Sequence, residues 1–236
     1  MWLIPAITVY TIVLGTLSIG SSLFERRGYF GHWCARSWSR LILWTTGVRV
    51  QVRGLERLQP GATYVFAANH QSIYDIPVLF ASLPFQLRII AKRSLGRFPV
   101  LGWHLSRTGH LLVDRRQPDP RAVFAWANAL TAKGLSLMVF PEGTRSATGR
   151  VAPFKGGSLY PAVQAGLSIV PLSVIGSRHV MRKGQLTTCP GDVELVIHDP
   201  IETIAAVEPN IREVRALAAR VRAVIAPLVE QEAAMP

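Results

Sequence analysis

The sequence predicts an α/β fold: a mostly parallel mixed sheet flanked by helices, with membrane-associated helices at the N-terminus. Three observations carry that expectation. Seven short strand-like runs follow one another from Val48 to His198, most of them separated by helix-like segments. Alternation of that kind builds parallel sheets with helices on their faces. No charged residue occurs between Leu3 and Phe24. Polar and charged side chains recur just beyond apolar runs, where open α/β sheets bind their ligands. The 236 residues suffice for one substantial core with a small accessory element. We divide them into N-terminal helices (1–46) and an α/β domain (47–236).

The first element is the uncharged run Leu3–Phe24. At roughly 1.5 Å per residue it reaches about 30 Å, enough to cross a hydrocarbon core. A cleaved signal peptide places basic residues ahead of its apolar run; here Arg26-Arg27 follow it. That order favours a retained segment, with the rest of the chain on the cytoplasmic face of the cell (inner) membrane. The second element, His32–Trp44, sets Trp33, Trp38 and Trp44 among aliphatics with Arg36 and Arg40. It is too short and too charged to span, and suits either an interfacial helix or one packed on the following domain.

From Val48 the pattern becomes α/β. Val48–Gly54 alternates with period two and reads as an edge strand. Further strand-like runs are Tyr64–Ala67, Leu87–Ala91, His110–Val113, Leu135–Phe140, Ile169–Ile175 and Val193–His198. Asp119-Pro120 supplies a cap and a first-turn proline for a helix that stops at Gly134. Another helix is expected over 157–165. Asn210 and Glu213 form a capping-box pair ahead of a final amphipathic helix, whose Arg212, Arg215, Arg220 and Arg222 are assigned to its solvated face.

The charge balance points to an anionic partner. Lys+Arg number 26 against 14 Asp+Glu, a formal net charge of +12. Nucleic acid, an anionic membrane face and a phosphorylated substrate all fit such a balance. Between Arg57 and Arg182 the only acidic residues are Asp75, Asp114, Asp119 and Glu142. Cys34 and Cys189 lie far apart without metal-ligand spacing and read as reduced, packed residues.

Against that sparse acidity, Asn69-His70-Gln71-Ser72-Ile73-Tyr74-Asp75 stands where a buried strand hands over to a helix. Residues five apart in a continuous helix are rotated by about 140°, so His70 meets Asp75 only if the histidine sits on the turn and the aspartate one turn into the helix. A carboxylate on one imidazole nitrogen fixes the tautomer and stabilises the imidazolium formed when the other takes a proton. Lys92, Arg115 and the run Glu142-Gly143-Thr144-Arg145 also follow strands, so all can share one rim. Such a rim suits acyl transfer to a hydroxyl. A positioned base accelerates such a step by about 10²–10⁴-fold, and charge-assisted bonds hold a phosphate. No Gly-x-Ser-x-Gly elbow, Walker loop or zinc signature occurs, which favours direct attack without an acyl-enzyme. His104 and His110 lie on apolar segments, where packing is their expected role. Phe154-Lys155-Gly156-Gly157 reads either as a donor-phosphate loop or as a plain glycine turn.

At these residues the chain resembles the glycerolipid acyltransferases, especially the 1-acylglycerol-3-phosphate (lysophosphatidate) acyltransferases. Four ordered blocks between Asn69 and Ile175 carry the resemblance. Asn69–Asp75 matches the N-H-x4-D block, which implies His70 as base and Asp75 as its orienting carboxylate. Gly109–Arg115 resembles the glycine-to-arginine strand block, implying that Arg115 binds the acceptor phosphate. Phe140-Pro141-Glu142-Gly143-Thr144-Arg145-Ser146 is the most specific match, and implies acceptor binding by Glu142, Gly143, Thr144 and Arg145. Ile169–Ile175 resembles the proline-containing block linked to the acyl chain, here Val170 and Pro171. Lys92 stands where similar enzymes carry a phosphate-binding lysine. The resemblance implies transfer from acyl-CoA or acyl carrier protein to the sn-2 hydroxyl of lysophosphatidate, giving phosphatidate in phospholipid biosynthesis. It implies a phospholipid membrane as partner, with no nucleic acid, no metal and no cofactor beyond the donor substrate. A related lysolipid acceptor such as lyso-ornithine lipid, and a non-catalytic basic membrane-binding module, are the competing readings.

Overall fold

The computed structural model describes residues 3–25, 27–114 and 120–233; Arg26, Arg115 and Asp119, to which roles were given above, lie outside them. Two antiparallel helices come first, α1 (Leu3–Ser21) and α2 (Tyr29–Thr45). The chain then runs through β1 (Val48–Arg53), β2 (Val65–Ala68), α3 (Asp75–Ser82), β3 (Leu87–Lys92), α4 (Leu101–Arg107) and β4 (Leu111–Val113). It continues with α5 (Pro120–Thr131), β5 (Ser136–Val139), α6 (Tyr160–Ala165), β6 (Ile169–Ile175), α7 (Ser177–Val180), β7 (Gly191–Ile197) and α8 (Ile211–Ala233). All seven expected strands are present, each shifted by at most two residues at its start or end.

The strands form one sheet in the order β1-β7-β6-β2-β5-β3-β4. Every neighbouring pair is parallel except β6 with β7, so the mixed, mostly parallel sheet is as expected. The carboxyl ends of β2, β3, β4, β5 and β6 therefore share one edge, while β1 and β7 run the other way. All four residues of the central strand β2 are buried. Helices cover it on both faces, which is why the strand reads as continuously apolar rather than alternating. Edge strand β1 buries Val48 and leaves most of its other residues exposed.

Each face of the sheet has its own core. On one, Phe66, Leu79, Met138, Val170 and Leu195 pack with Ile42 and Leu43 of α2. On the other, Val65, Leu137 and Ile169 pack with Val221, Ile225 and Val229 of α8. Each such side chain, wholly enclosed, contributes about 1.5–3 kcal/mol. These two layers clamp β2 and leave its carboxyl end as the fixed point of the rim.

The N-terminal helices behave differently from one another. α1 is long and apolar enough to cross a membrane by length and composition; of its residues only Ser18 is buried. It packs along α2 and against α4. Trp38 Nε1 donates to Thr11 Oγ1 at 2.9 Å, and Gly15 admits Val100, which any Cβ there would strike. By contrast α2 is packed: Cys34, Ser39, Ile42 and Leu43 are buried, while Trp33 and Trp44 face outward. Helices α4 and α7 were not expected. Their seven and four residues are too few to establish a 3.6-residue period. Asn210 caps α8 through the N–H of Arg212 at 2.9 Å. Arg222 is not on the solvated face assigned to it, because its guanidinium donates to the Val151 carbonyl at 2.7 and 3.1 Å and lies 3.3 Å from Glu230. Cys34 is buried but Cys189 is exposed, because it follows the loop after α7 rather than a core strand.

Candidate active site

The site begins where β2 ends. Residues 69–74 form the turn between β2 and α3, and Asp75 opens the helix. The turn is held on both sides. Asn69 donates to the Val174 carbonyl and accepts the Val174 N–H, both at 2.8 Å, so it is stitched to β6. Gln71 donates to the Gly149 carbonyl at 2.7 Å, and Ser72 Oγ donates to the Met181 carbonyl at 2.7 Å. With the turn pinned, His70 Nδ1 lies 2.7 Å from Asp75 Oδ2, which makes Nδ1 the donor. The backbone N–H groups of Gln71 and Ser72 reach the same oxygen at 2.8 and 3.0 Å, and Ser177 Oγ donates to Oδ1 at 2.5 Å. Asp75 is wholly buried, and these four donors offset the desolvation of its charge. His70 also stacks on Phe140, ring centroids 4.1 Å apart. Among the described residues no hydrogen bond engages Nε2, leaving it as the position where a proton can be taken.

The register of β5 on β2 places Val139 beside Ala67; three residues further on, Glu142 falls beside His70. Its Oε1 accepts the His70 N–H at 2.7 Å and its Oε2 the Ala152 N–H at 3.0 Å. The Ser146 N–H donates to the His70 carbonyl at 2.7 Å. Burial pushes the Glu142 carboxyl upward, while the bonds from Ala152 and His70 pull the other way. Both carboxylate oxygens thus accept backbone N–H groups of the site, and Glu142 fixes the His70 turn. Gly143 has φ 72°, a conformation that favours glycine. Thr144 is exposed and Arg145 half-buried on the same turn.

The remaining expected residues are spread along the edge. Lys92 ends β3, exposed, in a hollow lined by Arg93, Ser94, Arg97, Val113 and Asp114. With strands about 4.8 Å apart and β5 between them, β3 lies roughly 10 Å from β2. Val170 and Pro171 do not reach the edge. They are buried within β6, Pro171 level with Ala67, which is three residues, about 10 Å, below His70.

Residues the sequence did not single out complete the site. Ser177 is found by following β6 past its carboxyl end, the same rule that located His70. Lys183 has no such signal: it lies in the loop after α7, yet its Nζ donates to the Arg145 carbonyl at 2.8 Å. His104 and His110 are packed, His104 Nδ1 against Ser18 Oγ at 2.7 Å and His110 Nδ1 accepting the Ile89 N–H at 3.0 Å.

Comparison with known proteins places this geometry. A family model described as Acyltransferase matches residues 49–175, just over half of the chain. A chloroplastic 1-acyl-sn-glycerol-3-phosphate acyltransferase of Brassica napus is 36% identical over 185 residues, 76% of this chain and 53% of that protein. The human 1-acyl-sn-glycerol-3-phosphate acyltransferase alpha is 33% identical over 183 residues, 77% of this chain and 64% of that protein. The chain spans about half the length of the plant relatives it matches. The crystal structure of the 1-acyl-sn-glycerophosphate (LPA) acyltransferase PlsC from Thermotoga maritima is similar with a TM-score of 0.76 and 27% identity, over 100% of this chain and 99% of that one. A fold shared end to end with a solved acyltransferase, and a family model running from β1 to the end of β6, settle the relationship: this chain belongs to the acyltransferase family.

Proposed function

We propose that this protein transfers a fatty acyl group from an acyl thioester to the sn-2 hydroxyl of lysophosphatidate, yielding phosphatidate, at a membrane surface. The observation that supports the reading most is the 2.7 Å contact between His70 Nδ1 and the buried Asp75. Asp75 holds the ring with Nε2 free; Nε2 removes the hydroxyl proton as the oxygen attacks the thioester carbon. The new C–O bond forms, the C–S bond breaks, and the proton passes from the imidazolium to the departing thiolate. Lys92 and Arg115 hold the acceptor phosphate by charge-assisted bonds. Gly143, Thr144 and Arg145 wall the acceptor side, and Glu142 keeps the His70 turn in place. Val170 and Pro171 act on the acyl chain from within the core that borders it. The donor, acyl-CoA or acyl carrier protein, is a substrate, and no step calls for a metal or a further cofactor.

The apolar surface of α1, with Ile4, Val9, Ile12, Val13 and Leu17 exposed, supports attachment to a phospholipid bilayer, and Arg26-Arg27 favour the cytoplasmic face of the cell membrane. The relatives named above are 1-acyl-sn-glycerol-3-phosphate acyltransferases, which favours lysophosphatidate over a phosphate-free lysolipid.

The test is an assay of detergent-purified protein with labelled acyl donor, offering lysophosphatidate beside lyso-ornithine lipid. Phosphatidate is the expected product. Preference for the phosphate-free acceptor rejects the substrate assignment, and no ester with either acceptor rejects the enzyme reading.

A further inference from the structure

The loop that borders His70 is held by α8. Residues 140–155 follow β5 and belong to no helix or strand, so no ladder of backbone bonds fixes them. They nevertheless supply bonds that place His70. The Ser146 N–H donates to the His70 carbonyl, and the Gly149 carbonyl accepts Gln71 Nε2. The Ala152 N–H donates to Glu142, whose other carboxylate oxygen takes the His70 N–H. Next to Ala152, Val151 is buried, and a buried peptide group needs partners. Both of its backbone groups find them on α8. Its N–H donates to Glu230 Oε1 at 3.1 Å, and its carbonyl accepts Arg222 Nη2 at 2.7 Å and Nε at 3.1 Å. Arg222 and Glu230 lie 3.3 Å from each other, so the two side chains close on Val151 from both ends of its peptide unit. A second arm of α8 is weaker. Glu232 Oε1 lies 3.0 Å from His179 Nε2 on α7, the helix that carries Ser177, but that imidazole is more than half exposed, where ion pairs contribute little.

We propose that Arg222 and Glu230 are positioning residues for acyl transfer: by fixing both backbone groups of Val151 they hold the 146–152 loop, and through it the His70 turn, in the place where Nε2 meets the acceptor hydroxyl. Both residues lie beyond 49–175, the stretch shared with the acyltransferase family. A misplacement of about 1 Å at a reacting atom can cost about 10²-fold in rate, so slack in this brace has a readable effect. The proposal rests on the acyltransferase reading.

The experiment uses the full chain in detergent with Arg222→Met and Glu230→Ala together, beside Glu230→Gln, which keeps an acceptor for the Val151 N–H. We expect the double variant to lower kcat tenfold or more, with KM for lysophosphatidate and for the acyl thioester within twofold. Glu230→Gln should stay within threefold of wild type. A smaller folded fraction would also lower kcat at constant KM, and the His70→Ala background separates the two causes. With no imidazole to place, the double variant should cost less than twofold there. A loss of folded molecules multiplies the same tenfold again and overturns the proposal. So does a wild-type kcat in the double variant, or a rise in either KM in place of the fall in kcat. Hydrogen–deuterium exchange separates the brace from the reaction. In the double variant the amides of residues 69–75 and 146–152 should exchange tenfold faster or more, with those of β6 unchanged. If wild type esterifies nothing, that pattern keeps the brace on the His70 turn while the functional reading fails. Unchanged exchange in both segments, or faster exchange throughout the domain, removes the brace.

Discussion

Histidines are buried in two places in this molecule and are given opposite company. At the carboxyl end of β2, His70 faces a carboxylate held by four donors. Near the start of β3, His32, His104 and His110 surround the fully buried Arg88. Burial and the nearby guanidinium hold His32 down at about 3 and His104 at about 4, with His110 also well below its ordinary value. Arg88 itself is lowered by burial to about 10, and donates to the carbonyls of Leu87, Arg27 and Gly28. The residue type is the same; its partner decides its use. Beside a carboxylate an imidazole can accept a proton in the course of a reaction. Beside a guanidinium it stays neutral and ties α1 and the α1–α2 turn to the sheet.

The sharpest break between the regions is in activity. His70→Ala should lower acyl transfer by about 10²–10⁴-fold, measured as kcat with saturating donor. His104→Ala should leave kcat within about threefold while costing about 1–3 kcal/mol of stability, since it orphans Ser18 and opens a small cavity. Comparable losses of kcat in both would erase the distinction. Comparable in size, Asp75→Asn should lower kcat by up to about 10⁴-fold, because a neutral amide no longer fixes the tautomer or stabilises the imidazolium. The same variant should lower Tm, since the N–H donors of Gln71 and Ser72 lose a charged acceptor.

The histidine cluster around Arg88 should show itself in stability against pH. Its histidines have folded values below the unfolded 6.5, so the unfolded chain binds more protons once pH falls under about 6.5. Stability is complete above that pH and falls as acid is added, by up to about 2 kcal/mol per histidine at pH 5. Denaturant unfolding between pH 8 and 5 should show the slope, and His104→Gln should flatten it. A stability level over that range contradicts a neutral cluster. The smallest effect belongs to Ser177→Ala, which removes one of the four donors to Asp75. A fall in kcat of about three- to tenfold is expected, on a bond worth about 1–2 kcal/mol; no change would show that the other three donors suffice.

The two regions were not equally legible in the sequence. The seven strands and the His70–Asp75 turn could be read because their signals are local: apolar runs, a strand end, and a spacing that only a turn can close. The cluster around Arg88 could not. His32, Arg88 and His104 lie on three elements whose approach depends on how α1 and α2 dock, and no spacing encodes that. Glu142 was found by its motif, but its bonds to the His70 and Ala152 N–H groups follow from the β2–β5 register, which the sequence does not state. Lys183 was missed for the same reason, since it acts across 38 residues of chain. Arg115 was read from its block alone.

The central claim is that His70 and Asp75 work as one unit, and a double-mutant cycle on acyl transfer tests it most directly. Rates would be measured for wild type, His70→Ala, Asp75→Asn and the double variant, with lysophosphatidate and labelled acyl donor. Members of a unit are non-additive, so the double variant should be no slower than His70→Ala by more than about threefold. Losses that multiply, or a His70→Ala protein that turns over at the wild-type rate, would contradict the account.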